Sequence, residues 1–262
     1  MNTRSSLLQS FAIQRRVLHA LLLREIITRF GRKNLGVLWL IGEPMLFTLG
    51  VATLWTLSGL HAHSPIPIVA FAVTGYSSVL MWRNAANHCS SALEQNKPLL
   101  FHRNVQPIDV FLTRITVEIA GATCSFVLLS SLFMFVDWMP APVDPLEVVL
   151  GWVMLAWFGA ALALAVGAGT AFSDFVERLW HPTAYILFPL SGAAFMVEWM
   201  PPAAQSFVLL LPMVHGTEMV REGWFGNVVQ THHDAGYMAL CCLTLSLVGL
   251  YLQWEASRRV EM

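Results

Sequence analysis

The amino-acid sequence predicts an all-α polytopic membrane protein, and three observations carry that prediction. Of the 262 residues, 56% are hydrophobic and only 12% are charged, against roughly 25% charged residues in soluble domains. Six stretches are apolar enough to cross a bilayer, 35–60, 65–84, 109–136, 147–171, 182–200 and 235–254, since a ~30 Å hydrocarbon core takes about 20 helical residues. Finally, 14 of the 15 Lys and Arg residues fall on the N-terminus, the second and fourth connections with their flanks, and the C-terminus. That is the asymmetry of a chain with both termini cytoplasmic.

The N-terminal segment 1–33 carries Arg4, Arg15, Arg16, Arg24, Arg29, Arg32 and Lys33. It lacks the compact apolar core and small-residue cleavage site of a signal peptide, so cleavage is not expected. Ile13, Val17, Ala20 and Ile27 fall on one side of a helix, with Gln14, Arg15, His19, Glu25 and Arg29 opposite. Arg24 interrupts the first face, and Leu18, Leu22 and Ile26 the second. The expectation is an amphipathic helix in the cytoplasmic interface, basic residues toward lipid phosphates; an arm docked on a partner is the alternative.

In the first stretch, Glu43 precedes Pro44 about ten residues past Lys33, or ~15 Å along a helix. An ionisable group at that depth marks either a transport function or a pair with a neighbouring helix, and Pro44 removes a backbone donor. The connection 85–108 is longer than a tight turn needs. Within it Glu94, Gln95 and Lys97 sit in a polar run. Arg114 and Glu118 are spaced for an intrahelical ion pair. The fourth stretch is rich in small residues over 159–169, which suits close helix packing. The fourth connection reads "SDFVERLWHP", where Asp174 followed by Glu177 suggests the start of a short cytoplasmic helix.

Residues 201–234 contain the run "SFVLLL", too short to span, and then "LPMVHGTEMVREGWFG" at 211–226. With Pro212 opening a helix, His215, Glu218 and Glu222 share one face. Three donors there suit a metal, and a histidine beside a glutamate suits general acid–base chemistry. The extracytoplasmic placement favours instead a re-entrant hairpin, with Pro212 starting its second helix, Gly223 and Gly226 ending it, and His215, Glu218 and Arg221 holding it in shape. Cys89, Cys124, Cys241 and Cys242 lack zinc or C-x-x-C spacing and read as small apolar residues. Tryptophans near the span ends read as an interfacial belt. No G-x-x-x-x-G-K-[ST], H-E-x-x-H or G-x-S-x-G occurs, so a transporter reading takes its energy from another subunit or an ion gradient.

"LLLREIITRFGRKNLGVLWLIGEPM" at 21–45, "ERLWHPTAYILFPLSGAAFMVEWMPP" at 177–202 and the 211–226 motif resemble the inner-membrane permease subunit of bacterial capsule polysaccharide ABC exporters, of the ABC-2 type. Residues 105–170 match in hydropathy more than in words. The resemblance implies a homodimer working with two copies of an ATP-binding cassette subunit in the bacterial inner membrane. Its substrate would be a lipid-linked acidic polysaccharide, passed through a channel at the dimer interface to periplasmic and outer-membrane export proteins. It also implies an interface helix, a coupling helix between the second and third spans, and two re-entrant helices before the sixth. On this chain Arg29, Arg32, Lys33 and Glu43 would then line the entrance or path, and Glu94, Gln95, Lys97, Asp174 and Glu177 would couple to the ATPase. His215, Glu218 and Arg221 would form the periplasmic gate. No catalytic residue, cofactor, metal or nucleic-acid partner is expected. The family's last motif often has Asn before the proline; this chain has Leu211. Export of O-antigen or teichoic acid, a membrane transferase using His215 and Glu218, and an ion-coupled transporter working through Glu43 are the alternatives.

Overall fold

The structure, a computed structural model, describes residues 7–30, 36–58, 66–100 and 105–260. Every regular element among the described residues is helical: α1 (Leu7–Phe30), α2 (Gly36–Ser58), α3 (Ile68–Ser90), α4 (Ala92–Gln95), α5 (Lys97–Leu100), α6 (Pro107–Phe135), α7 (Pro145–Thr170), α8 (Asp174–Leu190), α9 (Pro202–Val208), α10 (Pro212–Phe225) and α11 (Ala235–Val260). Among them α6, α7 and α11 are each long and apolar enough to cross a membrane.

Local chemistry sets the boundaries. The side chain of Gln106 and that of Asp109 cap each other's backbone at the start of α6, with Pro107 in the first turn, a reciprocal arrangement that satisfies otherwise orphaned amides. Asp144 accepts from the amides of Leu146 and Glu147 ahead of α7, and Ser173 from that of Phe175 ahead of α8. Pro212 opens α10, where its missing donor is not needed. Gly226, at φ +55°, closes it.

α7 is the hub, packed against α3, α10 and α11. A Cβ on Gly159 would meet Trp82, and one on Gly167 would meet Cys89. α3 and α7 therefore run in the same direction at a separation only small residues allow. α11 runs parallel to them, with Gly249 against Leu164 and Ala165 and Met238 against Gly216. α6 runs the opposite way, as Phe126 stacks on Trp152 at 4.3 Å and Phe111 reaches Gly167. α8 also opposes α3, its Trp180 donating to Asn87 while Phe188 meets Tyr76 edge-on. The bundle thus has an α1 end, where α3 and α7 finish, and an α10 end, where they begin.

Three expectations need correction. The stretch 182–200 is not one helix: α8 starts at Asp174, runs through Pro182 and stops at Leu190. Pro189 withholds a donor, Ser191 Oγ donates to the Phe188 carbonyl, and Gly192 turns left-handed at φ +81°. It follows that Asp174 and Glu177 open this long helix, not a separate short one. Second, α3 runs to Ser90, so the connection begins after it. Third, Arg114 pairs with Glu25 of α1 at 2.8 Å, while Glu118 faces His88 at 3.2 Å; the partners expected within one helix are taken up by neighbouring helices.

α1 exposes residues of both expected sides, Ile13, Ala20 and Ile27 as well as Arg15, Arg16 and His19. Leu21 and Glu25 face α6, while Phe11, Ile13, Leu23, Ile26 and Ile27 lie outward. Gln14 donates to Asp109 and Arg24 to Asn96. The helix is held by polar contacts to the bundle and leaves apolar residues for its surroundings.

Candidate functional site

α10 is amphipathic in an unusual sense: nearly all of it is buried, including His215, Glu218 and Arg221. Three glycines make that possible. A Cβ on Gly223 would lie 2.5 Å from the Val148 amide, and one on Gly216 would lie 2.6 Å from Leu155 Cγ. On the facing helix, a Cβ on Gly151 would lie 2.8 Å from the Val220 amide. Gly223 thus serves packing within α10, and Gly226 alone ends the helix. The Asp144 amide donates to the Gly223 carbonyl at 2.8 Å, and Trp224 Nε1 to that of Pro140 at 3.0 Å. The 137–145 connection is thereby fixed to α10.

Arg221, fully buried, is the centre of the cluster. Its Nη1 donates to the carbonyls of Gly192 and Phe195, at 2.6 Å each. Nη2 donates to that of Ala193 at 2.9 Å. The guanidinium carbon stands 3.8 Å from the Phe71 ring centroid, a cation–π distance. The turn after α8, irregular and buried, would otherwise leave those carbonyls unpaired. Burial pulls the Arg221 pKa down, and the negative charge of Glu218 opposes that shift.

Glu218 accepts long hydrogen bonds from the amides of Val197 (3.5 Å) and His232 (3.3 Å). Burial pushes its carboxyl above the ordinary value, against the lowering effect of Arg221. His215 Nδ1 accepts from the Asp234 amide at 2.9 Å, and Nε2 reaches the Leu209 carbonyl at 2.9 Å. Only the neutral ring carrying its proton on Nε2 satisfies both; burial accordingly lowers its pKa. Tyr237 packs beside the ring, 5.1 Å between centroids. Glu222, the third residue of the expected face, turns away to Thr231 and to His233, the latter at 3.0 Å. Among the described residues no three potential donors converge on a metal position. The polar groups of α10 go instead to backbone, holding the 191–197 turn and the 226–234 loop. This is a clamp, with His215 and Glu218 both committed to main-chain partners. Leu211, at the N-cap of α10, gives no side-chain cap.

The ABC-2 type transporter profile matches residues 16–225, from α1 to the last residue of this clamp. The chain belongs to the ABC-2 type transporter family. It is 41% identical over 258 residues to the capsule polysaccharide export inner-membrane protein CtrC of Neisseria meningitidis serogroup A, covering 98% of this chain and 97% of that one. It is 41% identical over 253 residues to BexB of Haemophilus influenzae, covering 97% and 96%. To the polysialic acid transport protein KpsM of Escherichia coli it is 28% identical, covering 92% and 94%.

At its other end this ABC-2 chain places a second polar cluster. Arg114 donates to Gln95 Oε1 at 2.9 Å and pairs with Glu25. Arg24 donates to Asn96 Oδ1 at 3.0 Å. These residues, with His88 and Thr28, line a cleft of ≈ 350 Å³. Beside it Glu94 and Lys97 form an exposed pair at 3.8 Å. Asp174, exposed, and Glu177, half-buried, sit at the same end, since Trp180 one turn later bonds Asn87. Sequence reading gave Glu94, Gln95 and Lys97; Arg24 and Glu25 entered it only through the face pattern of α1, and Asn96, between α4 and α5, was missed. Of the entrance residues, Arg29 and Glu43 fall within α1 and α2, but their side chains lie outside the described set, as do residues Arg32 and Lys33 altogether.

Proposed function

We propose that this chain is the membrane subunit of an ATP-driven exporter that carries a lipid-linked acidic capsular polysaccharide out of the cytoplasm. Near full-length identity to CtrC and BexB is the observation that carries the reading. In it α2, α3, α6, α7, α8 and α11 cross the inner membrane with both termini cytoplasmic. The opposed directions of α3, α7 and α11 against α6 and α8, together with the charge distribution, support that topology. α1 lies at the cytoplasmic interface. α4, α5 and the start of α8 receive the ATP-binding subunit through Glu94, Gln95, Lys97, Asp174 and Glu177. Two copies of the chain enclose the polymer path, and Arg29, Arg32 and Lys33 draw an anionic lipid terminus to it, as cations do for phosphate, with Glu43 further along. α9 and α10 form the re-entrant hairpin, where His215, Glu218 and Arg221 keep the periplasmic exit in shape for the periplasmic and outer-membrane export proteins.

The test is deletion and complementation. Loss of the gene should retain polymer inside the cell, and the tagged chain should co-purify with a P-loop ATPase whose turnover it stimulates. His215→Ala or Glu218→Ala should lower surface polymer while that co-purification persists. Full export by the chain in the absence of any ATPase, driven by a proton gradient and abolished in Glu43→Gln, would replace this reading with the ion-coupled one.

A further inference from the structure

Arg83 is a cation in the body of α3 that the clamp, the α1 cluster and the coupling surface all leave unused. It follows Ile68 by 15 residues and precedes Ser90 by seven, so it stands ~10 Å along the axis from the α1 end of that helix. Its guanidinium lies 5.5 Å from the ring centroids of both Tyr185 and Phe188 of α8. Its Nε is buried with no hydrogen-bond partner, and among the described residues no carboxylate pairs with it. A buried donor left unpaired is destabilising, and an ionisable group on a helix of this kind calls for a partner.

The surroundings define what that partner is. Tyr185 is 69% exposed, so the face between α3 and α8 opens outward. On α8 the exposed residues His181 and Arg178 stand one and two turns before Tyr185. Arg178 places a second cation on this face toward the α1 end, with the His181 imidazole between it and Tyr185. Beyond Arg83, toward the α10 end, the groove turns apolar and aromatic: Phe47 stacks on Tyr76 at 3.8 Å and meets Phe188 edge-on at 5.9 Å. A lipid carrying an anionic head fits that gradient, head on the cations and chain along the rings.

We propose that Arg83 binds a lipid-borne phosphate on the α3–α8 face and that this group belongs to the exported substrate entering from the cytoplasmic side. The substrate part rests on the function proposed above. Two sources present the same chemistry, the lipid terminus of the substrate and the headgroups of the bilayer.

The full-length chain with its ATP-binding subunit, in phosphatidylcholine nanodiscs, is titrated with fluorescent lysophosphatidic acid and with the matching uncharged monoacylglycerol. The wild type should prefer the phosphate lipid by about tenfold or more, equivalent to ~1.4 kcal/mol. Arg83→Gln should bring that preference to within about twofold, and Arg83→Lys should retain an intermediate value, keeping charge but losing the planar fork. Should Arg83→Gln fail to assemble, Tyr185→Leu removes one ring while sparing the charge and should weaken phosphate-lipid binding severalfold. An unchanged preference in the assembled variants overturns the anion site. Displacement of the probe by phosphatidylglycerol doped into the discs assigns the anion to bilayer headgroups and overturns the substrate role. Probe retained against phosphatidylglycerol, with surface polymer reduced in Arg83→Gln cells and ATPase co-purification unchanged, supports it. If wild-type cells export no polymer through this chain the function above fails, while the nanodisc preference still decides the anion site.

Discussion

Arg221 serves three carbonyls and one ring from a single guanidinium, so its loss leaves several buried acceptors unpaired at once. Arg221→Ala should destabilise the α10 end by about 3–5 kcal/mol, read as a drop in the thermal midpoint of the detergent-solubilised protein. Arg221→Lys should fall between, since an ammonium lacks the fork and the flat face that stacks on Phe71. His215 sets a pH dependence of definite sign. Its folded pKa lies below the ordinary 6.5 because burial disfavours the charged ring, so its contribution is complete above that value and is lost as pH falls through the folded pKa. The protection factor of the Asp234 amide, read by mass spectrometry on the 226–234 segment against the intrinsic exchange rate at each pH, should fall on acidification, and His215→Ala should show low protection at every pH. Glu218 has a raised pKa and works in the opposite sense, so Glu218→Gln should leave the acid-side loss of protection in place. The residue types at 215, 218 and 221 were legible in the sequence as a polar group in an apolar chain. Their partners were not, because backbone carbonyls and amides carry no residue signature.

At the scale of elements, small residues decide how near helices come. A Cβ on Gly75 would lie 2.3 Å from the Ala193 carbonyl oxygen and 2.6 Å from Arg221 Nη2, whereas one on Gly50 meets nothing within 4 Å. Gly75→Ala should therefore sharply reduce the yield of folded protein, and Gly50→Ala should fold at least as well as the wild type, since alanine is favoured over glycine in a helix interior by roughly 0.5–1 kcal/mol. Size-exclusion chromatography of the two variants separates them. Most helices were readable from hydropathy and from caps such as Asp144 and Pro212. The α8 boundary was not. Pro182 looks like a stop and is passed through, while the true stop at Leu190 depends on Gly192 and on the Arg221 contacts, made by residues distant in sequence. The docking of α1 was unreadable for a related reason: Gln14, Arg24 and Glu25 reach Asp109, Asn96 and Arg114, partners that only the folded bundle supplies, while Arg15, Arg16 and His19 stay outward.

For the whole molecule, the two ends differ in chemistry as well as position. The α10 end is tied mainly by side chains bonded to backbone, the buried Arg221 guanidinium among them, the α1 end by charged side chains around a cleft with the exposed Glu94–Lys97 pair beside it. A pair so exposed contributes at most about 1 kcal/mol to folding, so exchanging the two charges, Glu94→Lys with Lys97→Glu, should leave thermal stability within error. If this end receives the ATP-binding subunit, the same exchange should lower co-purification or stimulated ATP turnover; unchanged turnover would remove these residues from the contact.

The contact between Arg221 and Phe71 joins an early helix to a late one. A ribosome releases Phe71 well before it reaches Arg221, so during synthesis α3 waits without the group that will fix it to the turn after α8. The completed clamp then acts as a seal on a finished product. A chain truncated anywhere before α10 should carry an open, apolar α10 end, and that exposed surface is what a membrane quality-control protease would read.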